Sequence, residues 1–183
     1  MAGSDVVAVF ITADTNAADV ASISANERPN TDFTIGGTDT SGGVATFDAG
    51  RIVTATTTGT GDSGKTVTIT GTDVNGAAQT ETITLPGSAT TTSGTKFFKT
   101  VTAASASAQP AANVSLGHAA GAADVIFAGR SRLQGLNIVC SATAGTLDFR
   151  TTSPTGSSVF KVGTVASATA TRDITIPDEG LLF

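Results

Sequence analysis

Five consecutive β-branched residues, Thr66-Val67-Thr68-Ile69-Thr70, alternate hydroxyl and aliphatic side chains. Successive side chains of a strand point to opposite faces, so this run makes one apolar face and one hydroxyl face. Its restricted χ1 rotamers suit a pleated surface better than a helix. A partner run, Glu81-Thr82-Ile83-Thr84-Leu85, follows Asp73-Val74-Asn75-Gly76. A two-residue Asn75-Gly76 turn would pair Ile69 with Thr82 and put the two apolar sets on opposite faces. A three-residue loop, Val74-Asn75-Gly76, pairs Val67 with Ile83 and unites them, with Gly76 in the left-handed region. The other face then carries Thr66, Thr68, Thr70, Thr80, Thr82 and Thr84 and is expected to be wet or interfacial. Glu81 falls on the apolar side, near its edge, and is the misfit of this register.

The rest of the chain has the same texture. Among 183 residues there are 34 Thr, 29 Ala and 21 Gly, with no Trp or Tyr, and only 14% are charged. Val, Ile, Leu, Ala and nine Phe must supply the packing, which limits the apolar area each domain can bury. Part of the stability is therefore expected to come from self-association. Strands are expected at residues 5–11, 33–35, 44–47, 52–57, 67–72, 81–85, 97–102 and 114–116. Further ones are expected at 125–127, 133–140, 147–151, 159–162 and 174–176, most of them separated by glycines or polar turn clusters. Residues 15–30 lack a clean 3.6 period and read as an extended arm or long loop, with a short helical turn near 17–23.

The expected fold class is all-β: an antiparallel β-sandwich or barrel-like domain, a second small antiparallel β-domain, and an extended N-terminal arm. The divisions are residues 1–31 for the first strand and arm, 32–118 for the larger domain, 119–123 for a small-residue linker, and 124–183 for the C-terminal domain.

Charge narrows the partners. The formal net charge is −5 and four Lys and six Arg are scattered singly, so phosphate-directed nucleic-acid binding is not expected. No apolar run approaches the ~20 residues of a membrane helix, and the N-terminus lacks the pattern of a signal peptide. Cys140 is the sole cysteine, so no intrachain disulfide is possible, and the chain is expected to be made in a reducing compartment or at least to need no oxidising one.

Residues 59–66, Gly-Thr-Gly-Asp-Ser-Gly-Lys-Thr, match every position of the phosphate-binding pattern G-x-x-x-x-G-K-[ST]. Such a loop must open a helix, whose free amides meet the phosphates. This one opens a strand, with no later acidic strand end to hold Mg²⁺ and no βαβ alternation. It reads as a hairpin connection. Gly61-Asp62-Ser63-Gly64 also echoes the nucleophile turn of chymotrypsin-like proteases, but the only histidine, His118, lacks that family's surroundings. One His and one Cys are too few for a zinc site unless carboxylates complete it. Asp73-Val74-Asn75-Gly76 has the start of a calcium loop without its closing Glu. Three Glu (Glu27, Glu81, Glu179) and the missing Trp and Tyr speak against sugar processing. Cys140 reads as a buried small hydrophobe, and Phe97-Phe98 as one core ring beside one exposed or interfacial ring. No catalytic, cofactor-binding or metal-ligating residue is assigned.

Several segments together resemble a family. Gly43-Val44-Ala45-Thr46-Phe47-Asp48, Arg51-Ile52-Val53-Thr54, Asp62-Ser63-Gly64 and Val67-Thr68-Ile69-Thr70-Gly71-Thr72-Asp73 are similar to a β-rich module of tailed-bacteriophage virion proteins. The pattern continues through Asn75-Gly76, Thr80-Glu81-Thr82-Ile83, residues 94–102 and Val114-Ser115-Leu116-Gly117. Gly145-Thr146-Leu147-Asp148-Phe149-Arg150 and residues 174–183 resemble a small phage β-domain. The likeness lies in strand-and-turn texture and is closest to capsid decoration (cement) proteins. It implies a non-enzymatic virion structural protein, synthesised in the host cytoplasm and placed on the capsid exterior. Its partners would be the major capsid protein and itself, as a homotrimer, with no cofactor, metal, nucleic acid or membrane. The alternatives are a neck, tail-tube or tail-fibre adaptor component, a surface glycan-binding module, and an NTPase using Lys65.

Overall fold

The computed structural model describes residues 17–125, 130–140, 142–166, 170–176 and 180–183. It divides into two compact units, one ending at Val125 and one beginning at Ile126. Both are built from antiparallel strands, and the protein is all-β.

The first unit holds β1 (Asp19–Glu27), β2 (Thr40–Ser41), β3 (Val44–Thr57), β4 (Thr66–Thr72), β5 (Ala78–Thr84), β6 (Thr91–Ala106) and β7 (Val114–Ala123). They form one sheet in the order β1-β7-β3-β6-β4-β5, with β2 hairpinned onto β3. The β4–β5 hairpin has the three-residue loop: Val67 pairs with Ile83 and Thr72 with Ala78. The Asp73 amide bonds the Ala77 carbonyl at 2.9 Å, and Gly76 has φ 81°. Val67, Ile69, Ile83 and Leu85 all join one buried cluster with Val53, Ala55, Phe98, Val101, Val114, Leu116 and Ile23.

A single sheet encloses that cluster because its long strands change partners. Residues 91–101 of β6 pair with β3 and residues 100–106 with β4, so that only Thr100 and Val101 pair on both sides. Gly71 lies at the crossing, where any Cβ would collide with the Thr100 carbonyl. The first half of β6 then meets β5 through side chains. The Gln79 amide donates to the Phe97 carbonyl at 2.8 Å, and the Glu81 carboxylate accepts the Thr95 amide at 2.6 Å and the Lys96 amide at 3.3 Å. Glu81, the misfit of the hairpin register, thus supplies hydrogen bonds where the two strands have no ladder. Thr95 is exposed, so water can meet its amide once the carboxylate is gone, and the loss is that of an ordinary hydrogen bond, about 0.5–1 kcal/mol. Glu81→Ala should lower the urea midpoint accordingly, and an unchanged midpoint would show the bridge to be idle.

Several expectations are corrected. Residues 44–47 and 52–57 form one strand: the β6 register jumps by a bulge between Thr46 and Arg51, and Gly50 and Arg51 are held by pairing with Ala123 and Ala122 of β7. Residues 33–35 make no strand; Asp32 forms only an isolated bridge to Ser105. The helical turn near 17–23 is absent, and residues 19–27 are no arm: they are β1, paired to β7. Ser22, Ile23 and Ser24 are buried there because residues 36–39 cover the outer edge, with Gly36 and Gly37 amides on the Ile23 carbonyl. Residues 119–123 belong to β7 and are no linker; the division between units comes after Val125. The expected strand at 5–11 and most of that at 125–127 lie outside the described residues.

Among its described residues, the second unit holds three two-stranded ribbons. They are β8 (Arg132–Leu133) with β13 (Leu181–Leu182), β9 (Gly135–Val139) with β12 (Thr171–Thr175), and β10 (Thr146–Arg150) with β11 (Ser158–Gly163). Phe149 packs against Phe160 and Phe183, with ring centroids 6.0 and 6.1 Å away. Asp148 ties β10 to β11, and the Ser158 hydroxyl, with help from Arg150 and Lys161, holds its carboxyl below the ordinary range.

Candidate functional site

The loop matching the phosphate-binding pattern is filled by the protein's own carboxylate. Gly61 (φ 94°) and Gly64 (φ 80°) take left-handed conformations that reverse the chain around Asp62. Asp62 is fully buried. It accepts the Ala111 amide at 2.5 Å and the Ala112 amide at 3.2 Å, and pairs with the Lys65 ammonium at 3.0 Å. The Lys65 amide bonds the Asp62 carbonyl at 3.0 Å. Two successive amides and an ammonium around an oxyanion are what a phosphate would meet, but here the anion is covalently in place. Burial alone would raise the Asp62 carboxyl; the amides and Lys65 outweigh it and hold the group below its ordinary value. The loop therefore anchors residues 110–113 to the sheet, and strand β4 follows it with no helix between.

His118 lies elsewhere, on β7 opposite Val53 of β3 and Asp19 of β1. Its ring is buried edge-on against Phe47, at a centroid distance of 5.5 Å. Nδ1 faces the Ala119 carbonyl at 2.9 Å, so it donates there; Nε2 faces the Asp39 carboxylate at 3.4 Å. Asp19 accepts the Ala21 amide and the Thr38 hydroxyl, which with nearby His118 hold its carboxyl below the ordinary range against a modest burial effect. Asp19, Asp39 and His118 line an open hollow of about 440 Å³ with Ala17, Ala18 and Val20. A triad histidine needs a carboxylate on one nitrogen and a nucleophile on the other. Here one nitrogen has a carboxylate and the other a backbone carbonyl. Ser63 sits in the other loop, beside Gly87. The two residues are not brought together.

The remaining residues singled out by sequence are structural where they are described. Asp73 caps its own turn by accepting the Asn75 and Ala77 amides. Cys140 and Phe98 are buried, and Phe97 is half-buried. Glu27 accepts the Thr34 amide, while Glu179 lies outside the described residues. No cluster of three His, Cys, Asp or Glu side chains suited to a metal occurs among the described residues. The threonine face forms as expected: Thr66 opposes Thr84, Thr68 opposes Thr82 and Thr70 opposes Thr80, all half-buried or exposed. Adjacent hydroxyls meet, Thr68 with Thr82 at 3.3 Å and Thr72 with Thr100 at 2.8 Å.

Sequence reasoning missed Arg51, Asp19 and Asp39. Arg51 was legible in principle, because residues 45, 47, 49, 51, 53, 55 and 57 form the buried series of β3. An arginine in that series must be buried, and its pairing with Asp48 and the Ala120 carbonyl follows from need. Asp19 and Asp39 come to His118 only through strand pairing and the 36–39 cover.

Comparison with known proteins finds no matching protein family, no matching curated relative and no matching solved structure.

Proposed function

We propose that this chain is a non-enzymatic structural protein of a tailed-phage virion, a capsid decoration protein that binds and stabilises the major capsid protein lattice as a homotrimer. The observation that carries the reading is how the buried charge is used. Asp62 anchors a loop and Arg51 bonds the Ala120 carbonyl of β7. The partly exposed Glu81 bridges two strands. These groups stiffen a scaffold. The outward surface of β4 and β5 carries uncharged hydroxyls, which suit a broad hydrogen-bonded contact with a neighbouring subunit. The strand-and-turn likeness to phage β-modules supports the same reading, with the capsid exterior as its location.

Copy number tests it. Quantitative mass spectrometry of purified particles should find hundreds of copies per virion. A ring-like six or twelve would make the protein a neck or tail component instead, and its absence from particles would remove the virion reading.

A further inference from the structure

The buried ring of His118 has an acceptor at each nitrogen. Nδ1 lies 2.9 Å from the Ala119 carbonyl and Nε2 lies 3.4 Å from the Asp39 carboxylate. A neutral imidazole carries one N–H, so whichever nitrogen holds it, the other turns a lone pair toward an oxygen. Only the doubly protonated ring presents an N–H to both. The charges around it favour that form. Asp39 faces the ring from the segment that covers β1. Asp19 faces it from β1 itself, and the Ala21 amide, the Thr38 hydroxyl and the nearby ring together hold that carboxyl below its ordinary range. Phe47 and Val53 of β3 meet the ring with apolar groups. Further along β3, Arg51 bonds the Ala120 carbonyl, two residues beyond His118, and opposes a charge on the ring. Asp48, 3.5 Å from that guanidinium, offsets part of the opposition. The open hollow lined by His118, Asp19 and Asp39 gives protons a way in.

We propose that His118 is an acid-strengthened latch: its protonated ring clasps the 36–39 cover onto β7, and loss of the proton loosens that cover from the outer edge of β1. The backbone ties of the cover to β1 all fall on two carbonyls. The Gly36 and Gly37 amides share the Ile23 carbonyl, and the Asp39 amide bonds the Ser22 carbonyl. Gly37 lies flat against this edge, where any Cβ would collide with the Ala21 and Ser22 backbone. Asp39 then reaches past β1 to His118 and ties the cover to a second strand. That attraction exists only while the ring is charged. The stability it lends the cover is therefore complete at low pH and is lost as pH rises and the ring gives up its proton. Among the described residues β1 is the last strand on its side of the sheet, so a lifted cover bares an unpaired edge.

This inference does not rest on the virion reading, and its test needs no particle. Amide hydrogen exchange of the full chain reads it, with each rate divided by its value in an unstructured chain. From about pH 5.5 to about pH 8, an interval that spans ordinary histidine titration, protection of the Gly36, Gly37 and Asp39 amides should fall. A loss of about fivefold is expected for a half-buried ion pair, while β4 and β6 amides stay level. Asp39→Asn keeps the shape, removes the anion and should flatten the fall, as should His118→Gln. Should either variant not fold, nitrogen NMR of the wild-type ring decides: both nitrogens must carry protons at the lower pH and one must lose its proton by the higher. Protection of the cover that is level with pH in the wild type would overturn the proposal. So would a fall that persists undiminished in Asp39→Asn, or a ring already neutral at the lower pH.

Discussion

Asp62→Ala should destabilise the first unit by about 3 kcal/mol, because three donors lose their acceptor at a fully buried position. The Ala111 and Ala112 amides would be left facing a void, and residues 110–113 would lose their tie to the loop. Lys65→Ala should cost about 1 kcal/mol or less, since Lys65 is partly exposed and its ammonium can return to water. Acid should reproduce part of the Asp62 effect. The folded carboxyl lies below its unfolded value of about 3.9, so its contribution is complete above that pH and is lost as pH falls through the folded value. In urea titrations the stability gap between wild type and Asp62→Asn should therefore be widest near pH 6 and narrow toward pH 3. A gap that is flat with pH, or an Asp62→Ala cost under about 0.5 kcal/mol, would mean that the carboxylate is not the anchor.

Arg51 gives the second large effect and separates volume from charge. It is the largest fully buried side chain among the described residues, and burial lowers its guanidinium pKa from the ordinary value. Arg51→Ala should cost about 3 kcal/mol, from the space it vacates and the bonds it drops to Ala120 and Asp48. Arg51→Met fills much of the same space without a charge to desolvate. Asp48 is half exposed and Ala120 exposed, so both can turn to water. Arg51→Met should therefore cost no more than about 1 kcal/mol. Equal losses for the two variants would show that the guanidinium's bonds, and not its bulk, hold the bulged part of β3.

How much of this was legible in the sequence follows from the range of each interaction. The β4–β5 hairpin was, down to Val67 opposite Ile83, because period-two patterning and a glycine turn are local. The same rule failed at Asp48-Ala49-Gly50, where polar and small residues look like a break. The strand resumes at Gly50 and Arg51 because Ala123 and Ala122 of β7 pair with them, and β7 is distant in sequence. Residues 119–123 misled for the converse reason: Ala and Gly carry no strand signal, yet pairing with Gly50 and Arg51 makes a strand of them. The loop at 59–66 reads as a connection because no helix follows it. That its own Asp62 occupies the anion position depends on Ala111 and Ala112, which no spacing reveals.

By itself the sequence determined the all-β class, the inward and outward faces of the central hairpin and the threonine surface. These are properties of neighbours along the chain, set by side-chain alternation and turn stereochemistry. Only the tertiary structure decided that one sheet encloses the first core, that Glu81 joins β5 to β6, and that His118 meets Asp39 and not Ser63. Those outcomes rest on which distant strands pair and how far they bend. Pairing energy is shared among backbone groups that are chemically alike in every strand, so the sequence marks the strands far more strongly than it marks their partners.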